Sequence, residues 1–191
     1  SLLSFKTVNP NISVLRAHLD LIETINTCDN NEFLYSSGHD GYILKWDVIT
    51  ARLVDKVDTN TLPITSITNI SLNKVVTGGF DEIVRVWKTD DMSVIYSLRI
   101  NGSIQAIYRL RDFESSLIIC HSGYIYIFQN SDYTLSLLKE RRECVVSKSA
   151  FEENSGLLDL GYMNGEIEFW GLGKDKKLTL VEKFVEHEVK A

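Results

Sequence analysis

The sequence predicts an all-β chain assembled from repeated four-stranded sheets. Three observations predict it. One stretch recurs at a near-constant interval, each recurrence carries a tight-turn dipeptide followed by a strand-like run, and helical i, i+3, i+4 patterning is not sustained anywhere.

The first unit is the clearest. YSSGHDGYILKWDV, residues 35–48, aligns without gaps to VTGGFDEIVRVWKT, residues 76–89. Ser36 meets Thr77, Asp40 meets Asp81 and Trp46 meets Trp87, each 41 positions on. Another step of 41 reaches LIICHSGYIYIFQN, residues 117–130, where Phe128 takes the place of tryptophan. A step of 42 then reaches residues 159–172, with Trp170.

Each unit follows one order. An apolar stretch leads into small residues and then Asp40-Gly41, Asp81-Glu82, Ser122-Gly123 or Asn164-Gly165. Such pairs suit a hairpin, because Gly and Asn tolerate positive φ. An alternating strand follows and ends in the recurring aromatic. Upstream lies a β-type segment (Leu21–Thr27, Ile64–Asn69, Ser103–Leu110, Cys144–Phe151), and downstream another (Ala51–Val57, Ser93–Leu98, Tyr133–Leu138, Leu178–Phe184). Four strands per unit at this period describe the blades of a β-propeller.

The repeat resembles the WD40 family. The first unit reads Ala17-His18, Ser36, Asp40-Gly41 and Trp46-Asp47, close to that family's Gly-His, strand serine, Asp-Gly turn and terminal Trp-Asp. The resemblance implies that His18, Ser36, Asp40 and Trp46 form one hydrogen-bonded chain tying the loop before the inner strand to the hairpin and the third strand. The second unit keeps Thr77, Asp81 and Trp87 but has Asp58-Thr59-Asn60 in place of Gly-His, the third keeps none of the polar set, and the fourth keeps Trp170.

The expected division is a blade over 18–57, then 58–99, 100–140 and 141–187, with 1–17 as outer strands of a preceding blade. Phe184-Val185-Glu186-His187 looks like the opening of another unit. The expectation is therefore four full blades plus an outer half-blade. Sheets of this kind bury their faces only by stacking. The chain is accordingly expected to be the C-terminal part of a seven-bladed ring, as the resemblance implies, with the remaining blades supplied by preceding sequence. Closure on itself is the alternative.

Ser36, His39 and Asp40 are also the residue types of an acyl-transfer enzyme. The repeat answers that reading: Ser36 aligns with Thr77 and Ile118, which a nucleophile would not be expected to do, and His39 falls at a turn tip. No catalytic residue, cofactor or metal is expected. The 191 residues carry a formal net charge of -6, which argues against a general nucleic-acid surface. Cys28, Cys120 and Cys144 are odd in number and widely spaced, fitting a reducing compartment; the expected location is intracellular, cytoplasmic or nuclear. No apolar run of membrane-spanning length is present, so membrane association is not expected.

The expected function is a non-catalytic scaffold for protein–protein interaction within a multi-subunit complex. Contacts are expected where inner strands begin, at Leu21, Glu23, Pro63, Thr65, Ser103, Gln105, Val145 and Ser147, with Arg141, Arg142 and Lys148 beside them. The alternative is a phosphopeptide- or phosphoinositide-reading propeller using Arg141 and Arg142 of KERRE, residues 139–143. There Glu140 and Glu143 flank the arginines and would oppose a phosphate.

Overall fold

A computed structural model describes residues 16–28, 31–59, 63–110, 114–140 and 143–185. Among them, sixteen strands form four antiparallel four-stranded sheets with no helix. The first sheet holds β1 (Ile22–Thr27), β2 (Phe33–Gly38), β3 (Tyr42–Asp47) and β4 (Arg52–Asp58). The second holds β5 (Ile64–Ser71), β6 (Lys74–Gly79), β7 (Ile83–Lys88) and β8 (Val94–Arg99). The third holds β9 (Ile104–Arg109), β10 (Ser115–Cys120), β11 (Ile125–Gln129) and β12 (Leu135–Lys139). The fourth holds β13 (Val146–Glu152), β14 (Leu157–Tyr162), β15 (Ile167–Leu172) and β16 (Leu178–Phe184). This architecture is blade-like. The expected half-blade falls almost wholly in residues 1–15, and Glu186-His187 closes the expected start of a further unit; both lie outside the described residues.

The repeat is visible in the backbone itself. Ser36 pairs with Leu44, Thr77 with Arg85, Ile118 with Tyr126 and Leu160 with Glu168, so the hairpins share one register. The second residue of every predicted turn pair has positive φ: Gly41, Glu82, Gly123 and Gly165. Glu82 does this at φ 63 without glycine's freedom, held by the hairpin on either side. Gly38 and Gly79 answer a different demand. A Cβ on them would stand 2.0 and 2.1 Å from the carbonyl oxygens of Leu21 and Pro63, where the inner strand crosses closest.

Packing follows from which faces meet. Tyr35 and Ile43 of the first sheet lie against Ile67, Val75 and Trp87 of the second. Val76, Val84 and Val86 on the second sheet's other face meet Ile118, Tyr126 and Phe128 of the third. Leu117, Ile125 and Ile127 on the third sheet's far face meet Leu158, Leu160 and Tyr162 of the fourth. The inner strands β1, β5, β9 and β13 are neighbours in that order. A sheet covered on both sides reads as a continuous apolar run, and one covered on one side alternates. β10, inside the row, is buried at all six positions, whereas β14 alternates.

Polar groups also stitch the junctions. Asn69 Nδ2 donates to Asn26 Oδ1 at 2.9 Å and to the Thr27 carbonyl at 2.6 Å. Ser66 Oγ accepts the Ile107 amide at 2.9 Å, and the Tyr108 hydroxyl donates to the Ser149 carbonyl at 2.7 Å. Backbone groups on the inner strands of the first, third and fourth sheets are thereby satisfied by a neighbouring sheet.

The covered and open positions should differ sharply in energetic weight. Leu117 is fully enclosed between the third and fourth sheets, while Ile167 is 43% exposed. Leu117→Ala should cost about 2–5 kcal/mol in denaturant unfolding, through lost transfer energy and the cavity left behind. Ile167→Ala should cost less than about 1 kcal/mol.

Candidate functional site

The first sheet contains a buried polar chain. His18, just before β1, places Nδ1 2.9 Å from Asp40 Oδ2 and 3.1 Å from Oδ1. Its Nε2 lies 2.7 Å from Ser36 Oγ, which accepts the Trp46 indole N–H at 2.8 Å. The hydrogen-bonding inventory assigns direction. A carboxylate only accepts, so His18 donates through Nδ1; Nε2 then accepts from Ser36, whose remaining acceptor capacity takes the indole proton. Trp46 donates to Ser36, Ser36 to His18 and His18 to Asp40, so the chain ends on a carboxylate. Asp40 also accepts the Leu19 amide at 2.8 Å and the Tyr42 amide at 3.1 Å. Burial would raise its pKa, but these bonds outweigh it and hold the carboxyl below its ordinary value.

This is the connectivity of a serine nucleophile, a histidine base and an orienting aspartate. The histidine is His18, whereas His39 turns away and meets Glu23 at 2.7 Å. Ser36, however, is only 3% exposed, and its oxygen is engaged by the indole. The arrangement holds β2, β3 and the approach to β1 together.

The other sheets meet the same need differently. In the second, Trp87 donates to Thr77 Oγ1 at 2.8 Å, but Asp81 pairs with Arg85 at 2.5 Å and supports the Ile83 amide at 3.2 Å. In the fourth, the Trp170 indole and the Tyr162 hydroxyl both donate to Glu168 Oε2, at 3.0 and 2.6 Å. In the third, Ile118 and Phe128 are fully buried and need no partner. Arg85, Tyr162 and Glu168 were not among the expected network residues. The available signal was positional, since Arg85 and Glu168 both align with Leu44 of the first unit.

The strand entries and turn tips lie together on one face. The amides of His39, Phe80, His121 and Met163 donate to the carbonyls of Leu21, Pro63, Ser103 and Val145, at 2.9, 3.0, 2.9 and 3.0 Å. Leu21, Val145, Phe80 and Met163 are exposed on that face, and the Phe80 ring stacks on His121 with centroids 5.2 Å apart. Ser147 and Lys148 are exposed nearby. Thr65 and Gln105 are committed to sheet junctions instead: the Thr65 hydroxyl donates to the Ile104 carbonyl at 2.6 Å, and Gln105 Oε1 accepts from Ser149 at 2.5 Å. With Glu23 and Lys148 they line a polar concavity of about 470 Å³ between the inner strands. Arg141 and Arg142 lie outside the described residues.

Among the described residues no cluster of three or more His, Cys, Asp or Glu side chains could hold a metal, and no helix is long and apolar enough to cross a membrane. Burial, with a smaller contribution from the nearby Glu82 carboxylate, pushes the Cys120 thiol up to about 12.

Asp40→Ala or Ser36→Ala should each lower unfolding free energy by about 1–3 kcal/mol, because each strands buried partners. A carboxyl whose folded pKa is depressed stabilises above its unfolded pKa, and that stabilisation is lost as pH falls through the folded value. Asp40 has an ordinary value of 3.8. Its contribution should therefore be level above about pH 5 and decline below about pH 4. Asp40→Asn should flatten this part of a pH–stability profile measured by urea unfolding. No family model matches the chain, and no curated protein is matched by it.

Proposed function

We propose that the chain is part of a WD40-type β-propeller, the C-terminal part of a seven-bladed ring, acting as a non-catalytic, intracellular scaffold for protein partners. The observation that carries this reading is the alignment of four strand entries and four turn tips on one face, each closed by the same backbone hydrogen bond. Rigidly placed loops are the usual carriers of recognition. Exposed Leu21, Phe80, Val145 and Met163 give this face apolar contact area beside polar and charged groups.

The WD40 reading is supported by the His18–Asp40–Ser36–Trp46 chain, which has the composition and connectivity that the family resemblance implies. The fourth sheet supports further blades. Its Ile167 and Phe169 occupy the positions of Ile43 and Lys45 in the first sheet and of Ile125 and Ile127 in the third, which the neighbouring sheet covers. A non-catalytic role is supported by the enclosure of Ser36.

Two experiments test the proposal. Leu21→Asp, Phe80→Glu and Met163→Glu should each weaken quantitative co-purification of the bound protein by tenfold or more without changing Tm, while Ile49→Glu and Leu72→Glu on the opposite turns should not. Equal loss from both sets would refute this face as the docking surface. A fluorophosphonate probe should leave Ser36 unmodified in the native protein; stoichiometric labelling there would establish a nucleophile instead.

A further inference from the structure

Beside the Phe80–His121 pair, on the connection from the second sheet to the third, lies a recess of about 430 Å³ bordered by Glu82, Asn101, Gly102, Ser103, Ser122 and Tyr124. Its walls carry a carboxylate, two hydroxyls, an amide and a tyrosine ring. The Ser122 hydroxyl is closed off from bulk water and has no hydrogen-bond partner. Gly102 packs directly on Ser122. It sits at φ +106, and a Cβ there would stand 2.4 Å from Ser122 Oγ. The Glu82 carboxylate is held at the rim by the positive-φ turn of its own backbone, whose carbonyl accepts the Ile100 amide at 2.9 Å.

One cation already answers this carboxylate. Arg99, at the end of β8, places Nη1 3.2 Å from Glu82 Oε2, with both side chains substantially exposed. An exposed pair of this kind is worth little and exchanges readily. The rim therefore offers one carboxylate, held by an exposed arginine that an incoming cation can replace. A tyrosine face adds attraction for a cation within about 6 Å of its centroid.

We propose that this recess is a socket for the cationic head of a lysine or arginine side chain on a protein partner, with Arg99 as the internal competitor that the incoming side chain displaces. The proposal rests on the reading of this face as the docking face and names the chemistry of what docks. Apolar residues flanking that side chain would lie on Phe80 and Met163. The chain's net charge of -6 favours approach of a basic segment.

The test uses the whole chain, 15N-labelled and titrated with N-acetyl-lysine methylamide, N-acetyl-arginine methylamide or the neutral N-acetyl-norleucine methylamide. Saturable amide shifts confined to Gly102, Ser103, Ser122 and Tyr124 are expected with the cationic probes and not with norleucine; which cation binds tighter separates the two sources. Glu82→Gln should weaken binding at least fivefold, and Arg99→Ala should tighten it about two- to fivefold by removing the competitor. Arg99→Ala keeps the test decisive should Glu82→Gln disturb the turn. Equal shifts with norleucine, no shifts at all, or weaker binding in Arg99→Ala would overturn the socket. Because the docking face is read separately through Leu21, Phe80 and Met163, loss of the socket and loss of the docking face give different results.

Discussion

A four-stranded antiparallel sheet with apolar residues on both faces cannot persist alone in water, because only one neighbour covers only one face. This constraint organises the whole molecule. Each sheet is stable to the extent that the next one stacks on it, and burial is deepest where there is a neighbour on both sides, as in β10. Among the described residues the row's cover stops at the fourth sheet, and Ile167 and Phe184 are about half exposed. Stability is thus distributed across the junctions, each with its own apolar cluster and its own inter-sheet hydrogen bonds.

A second requirement follows from the first. Trp87, Phe128 and Trp170, at the ends of their third strands, pack into the junctions and Trp46 is likewise buried, and an indole brings an N–H that must not be buried unpaired. Four sheets satisfy this in four ways: Ser36 for Trp46, Thr77 for Trp87, Glu168 for Trp170, and removal of the polar group altogether at Phe128. The last is physically equivalent to the others, since replacing both members of a buried polar pair by apolar groups of similar shape is nearly neutral. The third unit's lack of the polar set therefore leaves its packing intact. The same requirement explains how a Ser–His–Asp chain arises without a nucleophile's exposure: it is a route for satisfying buried donors.

The face with the strand entries gains its properties as a by-product of this scaffold. Hydrogen bonds from the turn tips to the carbonyls of Leu21, Pro63, Ser103 and Val145 use up backbone groups there, leaving side chains to set the chemistry. Leu21, Phe80, Val145 and Met163 supply apolar area, and Glu82 and Glu23 supply negative charge. Thr65 and Gln105, which share the same stretch of inner strand, are drawn into the junctions instead.

Sequence alone was enough to locate the sheets, because strand period, turn dipeptides and the spacing between Trp46, Trp87 and Phe128 are local or strictly periodic signals. It also marked His18, Ser36, Asp40 and Trp46 as members of one buried chain, through their resemblance to a known pattern. It was silent on which acceptor would serve Trp170 and which cation would serve Asp81, since Glu168 and Arg85 lie on the same strand faces as an unremarkable Leu44. It could not separate Thr65 and Gln105 from their exposed neighbours, nor bring Glu82, Gly102 and Ser122 around one recess. Those outcomes depend on how neighbouring sheets abut, and hydrogen-bond partners some 40 residues apart in sequence are chosen by distance across a junction that only the folded chain defines.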